Sequence, residues 1–284
     1  MNNTITLVIS CPDGTGIVAA VANYIAELGG SLLESNHHTD RAEQWFFMRN
    51  VIDTTAMQGN LASFQEGFEP VAAQFNMQWQ VRDNAKRRKV VMLASKASHC
   101  LADLLHRWKD GELFCDIPCV VSNHENLRSM VEWHGIPFHH VPVPKADKAE
   151  AFARTAEIID RHGAECIVLA RYMQILPPDL CAKYSGQVIN IHHSFLPSFI
   201  GADPYQKAYD RGVKLIGATS HYVTEDLDEG PIIEQDVIRV SHSCDRSEMV
   251  RLGRDVERAV LARGLLYHLQ DRVLTRGNKT VVFT

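Results

Sequence analysis

The sequence has 284 residues, of which 45% are hydrophobic, so it can bury more than one apolar core and we expect two domains. Its 29 Lys and Arg residues against 34 Asp and Glu residues give a formal net charge of -5, without blocks of like charge. An acidic chain without a basic patch argues against a nucleic-acid partner.

No segment approaches the roughly 20 uninterrupted apolar residues that a membrane span requires. The first residues, MNNTITLVISCPDG, lack a basic start followed by a cleavable apolar run. We therefore expect a cytoplasmic protein without a membrane partner. The seven cysteines are scattered and form no C-x-x-C pair, which predicts reduced and mostly buried thiols, with neither a metal nor a cofactor.

The order of the elements predicts a first domain over residues 1–84. Residues 4–10 alternate as a strand, and the Gly-rich turn CPDGTG then leads into apolar residues at helical spacing. Two strands near 31–36 and 44–52, a helix near 60–75 and a last strand, MQWQV, follow. The resulting order, βαββαβ, is the ferredoxin-like pattern.

A different pattern predicts a second domain over residues 85–284. Short apolar strands, VVMLA, IPCVVS, FHHVPV and CIVLA, alternate with helical stretches near 98–110, 125–134 and 147–163. This alternation predicts parallel strands joined by crossover helices, which gives a Rossmann-like, mostly parallel α/β sheet. An amphipathic helix is expected near 247–270.

The segment QVINIHHSFLPSFIGADPY predicts a strand over 188–191 that breaks into a loop. In an open parallel sheet, ligands bind just beyond the carboxyl ends of the strands. Asn190 and His192 are two residues apart, so their side chains point to the same face of the strand. An amide donor and an imidazole are therefore expected at one cleft.

The segment GATSHYVTEDLDEGPIIEQD predicts a strand, an acidic turn and a second strand. Gly230 and Pro231 fix a tight connection near Asp228. An acid in such a turn is usually solvated or caps a helix, so the turn alone does not assign a catalytic role to Asp228.

Together these motifs resemble the folate-dependent formyltransferase family, whose signature is an Asn-Ile-His before a Ser-x-Leu-Pro and, later, a Leu-Asp-x-Gly-Pro. The matching residues are Asn190, Ile191, His192, Ser194, Leu196 and Pro197, then Leu227, Asp228, Gly230 and Pro231. The resemblance covers residues from about 89 to 270 and implies the formyltransferase fold. Both domains together are similar to the deformylase branch of this family, whose members hydrolyse 10-formyltetrahydrofolate to formate and tetrahydrofolate.

The resemblance implies a catalytic set of Asn190, His192 and Asp228. When water attacks a formyl group, Asn190 and His192 would donate to the oxygen of the tetrahedral intermediate, and such a donor is worth about 3 kcal/mol. Asp228 would position the water and His192 and help protonate the departing folate nitrogen, either as the formal base or as an orienting group. His193 and His221 are expected to support the reaction.

The family also implies that the loop after CIVLA and the acidic turn hold the pterin of the folate. The matching residues are Tyr172, Met173, Gln174, Ile175, Leu176, Glu225, Asp226 and Leu227. Ordinary core packing is the alternative for Met173 and Ile175. Asp203 departs from the neutral or basic residue expected in relatives, and its charge would repel the carboxylates of the folate tail.

The formyl acceptor separates the members of the family. Glycinamide ribonucleotide transformylases have a Gly/Ser/Asn-rich first βα turn whose N–H groups can bind a phosphate. The equivalent stretch here, ASKASHC at residues 94–100, contains no glycine, and His193 stands where those enzymes usually have proline. These features favour water as the acceptor, in an enzyme that supplies formate for purine synthesis and balances folate pools. A formyltransferase acting on a small amine and a non-catalytic folate-binding regulator remain alternatives.

The first domain resembles an ACT domain, which in many metabolic enzymes binds an amino acid at a subunit interface. The resemblance implies an effector site for glycine or methionine at Asp13, Gly14, Thr15 and Gly16, and a homo-oligomer, either a dimer or a tetramer. The family often has a basic residue where this chain has Gly14. A dimerisation module without a ligand is the alternative.

Overall fold

A computed structural model describes residues 3–144, 146–197 and 203–284. The chain divides into two compact units: the first unit is Met1–Arg87 with Gln270–Thr275 and Val281–Thr284, and the second unit is Arg88–Leu269 with Arg276–Thr280. This division departs from the expected boundaries, 1–84 and 85–284, at the C-terminal end. The reason is apolar packing, since Leu274 and Phe283 lie in a cluster with Val8 and Phe47 of the first unit.

The first unit has the predicted βαββαβ order. Its elements are β1 (Thr4–Pro12), α1 (Ile17–Glu27), β2 (Ser31–Asp40), β3 (Trp45–Asp53), α2 (Leu61–Gln74) and β4 (Gln78–Asp83). The strands pair antiparallel in the order β2-β3-β1-β4. Asn60 begins α2, because its side chain accepts a hydrogen bond from the backbone N–H of Ser63. Both helices bury apolar side chains in one core with the sheet.

An eight-stranded sheet forms the centre of the second unit. Its strands are β5 (Arg88–Ala94), β6 (Cys115–Asp116), β7 (Val120–Ser122), β8 (Phe138–His140), β9 (Cys166–Ala170), β10 (Val188–His192), β11 (Leu215–Tyr222) and β12 (Ile232–Arg239). The order is β12-β11-β10-β9-β5-β7-β8, and β6 pairs with β5. Strands β5 to β10 pair parallel with one another, whereas β11 pairs antiparallel with both β10 and β12. The predicted mostly parallel sheet is confirmed.

The remaining elements are α3 (His99–Lys109), α4 (Arg128–Trp133), α5 (Lys148–His162), α6 (Pro178–Lys183), α7 (Pro204–Arg211), α8 (Arg246–Leu269), β13 (Val273–Arg276) and β14 (Lys279–Val282). The helix predicted over 125–134 is split, since Glu125–Leu127 is a 3-10 turn ahead of α4. β13 and β14 form a two-stranded sheet. Within the described ranges, no helix is both long and apolar enough to cross a membrane.

The central strands of the second unit are almost continuously apolar. Every residue of β9 is buried, and β5 exposes only Lys89. Both faces of these strands are therefore covered, and each buried aliphatic side chain contributes about 1.5 to 3 kcal/mol. All seven cysteines are free thiols and all but Cys244 are buried, as the sequence predicts. The polar residues at the carboxyl ends of β9 and β10 stand out against this core.

Candidate active site

Asn190 and His192 lie at the carboxyl end of β10, where alternation places them on one face. The antiparallel register with β11 sets Asn190 opposite His221 and His192 opposite Thr219. His192 and His221 are both buried. The predicted convergence of the amide and the imidazole is thus present, and His221 joins them from the neighbouring strand.

The connection between β11 and β12 brings Asp228 close to His192. Tyr222 donates its backbone N–H to the carbonyl of Pro231 at 2.9 Å, which closes the hairpin. Gly230 permits the closure, because a Cβ there would lie 1.8 Å from the carbonyl oxygen of Tyr222. Asp228 itself has a φ of 59°, a left-handed conformation that Asp adopts more readily than most residues. The turn therefore fixes where this carboxylate points.

Asp228 contacts His192 at the end of β10. Its Oδ2 lies 3.2 Å from Nδ1 of His192, and the Asp228 side chain is 10% exposed. Burial alone would raise the pKa of Asp228, but the hydrogen bond and the charge of His192 outweigh burial and hold it below its ordinary value. The carboxyl group is therefore ionised, and it fixes the orientation of the imidazole.

His221 orients the Asn190 amide. Nδ1 of His221 donates to the carbonyl oxygen of Tyr222 at 2.9 Å, and burial lowers the pKa of the ring, which keeps it neutral. Nε2 of His221 is therefore an acceptor, and the Asn190 Nδ2 group donates to it at 3.1 Å. Asp228 Oδ1 lies 3.7 Å from the same nitrogen, and we assign this contact as a close approach and not as an ion pair.

Two imidazoles remain available at the centre of the site. Nε2 of His192 is buried and has no hydrogen-bond partner among the described residues. It is the ring nitrogen opposite the one that pairs with Asp228, so it can serve a substrate atom. Burial, followed by the charge of Arg171, lowers the pKa of His193 to about 4, so this neighbouring ring is neutral near pH 7.

These groups line a cavity of about 370 Å³. Every residue of the second unit that the sequence predicts for catalysis, support or folate binding lies on its wall: Tyr172, Met173, Gln174, Ile175, Leu176, Asn190, His192, His193, His221, Glu225, Asp226, Leu227 and Asp228. Met173 is 57% exposed and Ile175 is 66% exposed, so the alternative that they are core residues is wrong. Tyr172 and Leu176 are buried, and most of their surface packs into the core.

Asp203 lies on the wall of the same cavity, but its charge is paired. Both of its carboxylate oxygens accept hydrogen bonds from one nitrogen of Arg246, at 2.9 and 3.1 Å. The expected repulsion of a folate tail by Asp203 is therefore weaker than the sequence suggests, because a guanidinium accompanies the carboxylate.

A buried charged cluster beside the cavity is absent from the sequence-based prediction. Glu257, 1% exposed on α8, accepts from Tyr205 Oη at 2.6 Å and from Nε2 of His99 at 2.7 Å. Nε of Arg171 lies 3.3 Å from Oε2 of Glu257, an ion pair without the geometry of a directed hydrogen bond. Four distant segments supply these residues, so no local motif could reveal the cluster.

Among the described residues, two groups of side chains bring three ligand-type atoms within 4.8 Å of one another: Cys119 with His139 and His162, and His99 with Cys100 and Glu257. Glu257 of the second group is also paired with the guanidinium of Arg171. Neither group includes the residues around Asn190 and His192.

The turn predicted to bind an effector lies in the first unit, between β1 and α1. Gly16 has a φ of 94° and begins α1, which explains why glycine stands there. Asp13 donates its backbone N–H to the carbonyl of Gln44 at 2.9 Å. An amino-acid site at Asp13, Gly14, Thr15 and Gly16 stays a prediction.

Comparison with known proteins adds three findings. The Formyl transferase family model matches residues 88–265. A formyltetrahydrofolate deformylase of Bacillus subtilis (strain 168) is 47% identical over 278 residues, which are 98% of this chain and 93% of the relative. The crystal structure of a formyltetrahydrofolate deformylase from Pseudomonas syringae pv. tomato is 60% identical with a TM-score of 0.98, and the match covers 99% of this chain and 94% of that one.

A more distant solved structure matches a smaller share of the chain. It is a phosphoribosylglycinamide formyltransferase from Anaplasma phagocytophilum, which is 27% identical with a TM-score of 0.64. The match covers 70% of this chain and 96% of that one. The formyltransferase fold predicted from the motifs is confirmed.

Proposed function

This chain belongs to the formyl transferase family, and we propose that it hydrolyses 10-formyltetrahydrofolate to formate and tetrahydrofolate. The observation that carries the proposal is the contact between His192 and Asp228, with the Asn190 amide in the same cavity. Relatives similar over nearly the whole chain are named for this reaction.

In the reaction, the oxygen of a water molecule adds to the formyl carbon, the bond from that carbon to the folate nitrogen breaks, and the nitrogen takes up a proton. Negative charge develops on the former carbonyl oxygen in between. The second N–H of the Asn190 amide and an N–H at Nε2 of His192 donate to that oxygen. Donors fixed before the reaction need no reorganisation, and for this reason such contacts stabilise a transition state effectively.

The role of the Asp228 carboxylate is proton transfer. It is ionised and only partly exposed, so it can orient the attacking water and receive its proton. Its bond to Nδ1 of His192 also holds that ring in place and stabilises an imidazolium. The same proton can then reach the leaving nitrogen, so that formate and tetrahydrofolate are released.

Water as the acceptor is supported by the turn at residues 94–100. The Ser95 hydroxyl donates to Asn123 and accepts from the backbone N–H of Met173, and His99 pairs with Glu257. Two polar side chains of this turn are therefore engaged within the protein, whereas Lys96 and Ser98 are exposed. The support for water comes from the absence of glycine in the turn, because a glycine-rich turn is what leaves backbone N–H groups free to bind a phosphate.

An acceptor-free assay tests the proposal. Purified protein is mixed with 10-formyltetrahydrofolate, and formate and tetrahydrofolate are quantified, with and without glycinamide or hydroxylamine. We expect equal amounts of both products without an acceptor, and no formylated amine when one is added. Turnover that depends on the amine would favour a formyltransferase, and binding without turnover would favour a folate-binding regulator.

The physiological role and the role of the first unit belong to the same proposal. Formate release would supply purine synthesis and balance the folate pools of the cell. The first unit would bind glycine or methionine at the turn between β1 and α1 and would help to assemble a homo-oligomer, either a dimer or a tetramer. Its βαββαβ order supports this interpretation.

A further inference from the structure

Arg171 occupies an unusual position on the wall of the catalytic cavity. It follows β9 directly, lines the catalytic cavity and has a φ of 62°. A left-handed conformation is uncommon for a residue with a long side chain, and strained backbone of this kind is concentrated at functional sites. Its side chain is only 14% exposed. Burying a guanidinium here is costly unless its charge is paired.

Glu257 holds this guanidinium from one side. Its Oε2 faces Nε of Arg171, while its other contacts come from His99 and Tyr205. Gly253, one turn earlier on α8, makes the arrangement possible, because a Cβ there would lie 2.0 Å from the Tyr205 hydroxyl. Since Glu257 meets the Nε edge, the two terminal nitrogens of Arg171 are left for another group.

The charges on the cavity wall single out Arg171. Of the described residues that line the cavity, it is the only Lys or Arg. The acids there are Asp203, Glu225, Asp226 and Asp228. Asp203 is paired with Arg246 and Asp228 with His192. A small anion inside the cavity therefore has one guanidinium to bind, and a guanidinium fork matches the two oxygens of a carboxylate.

We propose that Arg171, held by Glu257, is a carboxylate-binding site within the catalytic cavity, and that it binds the formate released by the reaction. The assignment rests on the proposed hydrolysis, which creates this anion next to His192. His193 is close to the site of the reaction, since its ring lies 5.3 Å from that of His192, and it lines the same cavity as Arg171. The glutamate tail of a folate offers the same chemical group, so the experiment must separate the two sources.

The experiment measures formate binding directly, without turnover. Formate is titrated by calorimetry into wild-type protein saturated with tetrahydrofolate, and into the Arg171→Gln and Arg171→Lys variants. Because a hydrogen bond to a charged group is lost, Arg171→Gln should bind formate at least about tenfold more weakly than the wild type. Arg171→Lys should lie between the two, because it keeps the charge and loses the fork. Arg161→Gln is the matched control, since Arg161 is exposed and pairs with Glu157 away from the cavity.

A second measurement separates formate from the tail. The KM of Arg171→Gln is compared for 10-formyltetrahydrofolate and for 10-formyltetrahydropteroate, which has no glutamate. Inhibition of the reaction by added formate is measured with each substrate as well. We expect it to be weaker in Arg171→Gln than in the wild type, to the same degree with both substrates. A KM increase confined to the glutamate-bearing substrate, with unchanged formate binding, would overturn the assignment. Formate binding without hydrolysis would refute the proposed function alone, and hydrolysis with unaltered formate binding in both Arg171 variants would refute this inference alone.

Discussion

The amide of Asn190 and the imidazole of His221 face each other across β10 and β11, with Nδ2 and Nε2 3.1 Å apart. The backbone carbonyl of Tyr222 fixes the tautomer of His221 and thereby makes it the acceptor. The amide oxygen of Asn190 consequently points away from His221, and its remaining N–H is free to serve the substrate. His221 acts on the reaction through Asn190.

His221→Phe tests this positioning role. The substitution keeps a ring in the buried position and removes the acceptor for Asn190. A neutral hydrogen bond is worth about 0.5 to 1.5 kcal/mol, so kcat should fall by about threefold to tenfold while KM changes little. Steady-state kinetics with thermal unfolding of each variant measures this, and His242→Phe at an exposed site is the control. An unchanged kcat in a folded His221→Phe protein would remove the role.

His193 makes the stability depend on pH. Its pKa is lowered from 6.5 to about 4 in the folded protein, chiefly by burial. Between these values the unfolded chain binds a proton that the folded chain does not, so stability falls as pH falls, by about 1.4 kcal/mol per pH unit. Above pH 6.5 both states are neutral at this residue, and its effect on the slope disappears.

Unfolding with urea at pH values from 4.5 to 7.5 checks this dependence. The free energy of unfolding of His193→Gln should fall less steeply toward acid than that of the wild type. The difference in slope corresponds to about one proton fewer taken up on unfolding. His106→Gln is the control, because the His106 side chain is 73% exposed. Equal slopes for wild type and His193→Gln would show that His193 does not remain neutral in the folded state.

The pair of Asp203 and Arg246 predicts an effect on folate affinity. Arg246→Ala leaves the Asp203 carboxylate unaccompanied at the cavity wall, so the KM for a folate with a glutamate tail should rise. Both side chains are half exposed, and an exposed pair is worth about 0.2 to 1 kcal/mol, so the rise should stay within about fivefold. The double variant with Asp203→Ala should restore the wild-type KM. If the double variant keeps the higher KM, repulsion by Asp203 is not the cause.

The resemblance of the first unit to an ACT domain predicts that it binds an amino acid. Calorimetry on the full chain with glycine and with methionine should give heat for one of them, and the heat should be lost in Asp13→Ala. Saturation at a hundred times the dissociation constant would also add about 2.7 kcal/mol of stability. Absence of heat and of any thermal shift with both amino acids would leave a dimerisation module without a ligand.

Alternation and local turns made part of this site predictable. Asn190 and His192 share a face because they are two residues apart in a strand, and the acidic turn was recognisable from its Gly230-Pro231 pair. The contact of Asp228 with His192 was not predictable in this way, because it depends on the antiparallel pairing of β11 with β10. That contact came from family resemblance, and the structure supplies its physical cause.

The charged cluster around Glu257 could not be predicted from the sequence. His99, Tyr205 and Glu257 come from three helices and Arg171 from the loop after β9, and each alone has the pattern of an ordinary helix or loop residue. Glu257 lies on α8 between residues of the buried face, which a polarity pattern alone would count as an exception. The sequence of the turn at residues 94–100 shows only that it lacks glycine, whereas the structure shows that His99 is bound to a buried carboxylate.

Formate release by Asp228→Asn, compared with the wild type in the absence of any acceptor, tests the central claim most directly. The amide keeps the shape of the side chain and cannot take up the proton of water, so kcat should fall by about 10² to 10⁴ while thermal stability and tetrahydrofolate binding stay close to wild type. Asp179→Asn, at the start of α6, is the matched control. Formate release by Asp228→Asn at the wild-type rate would contradict the mechanism.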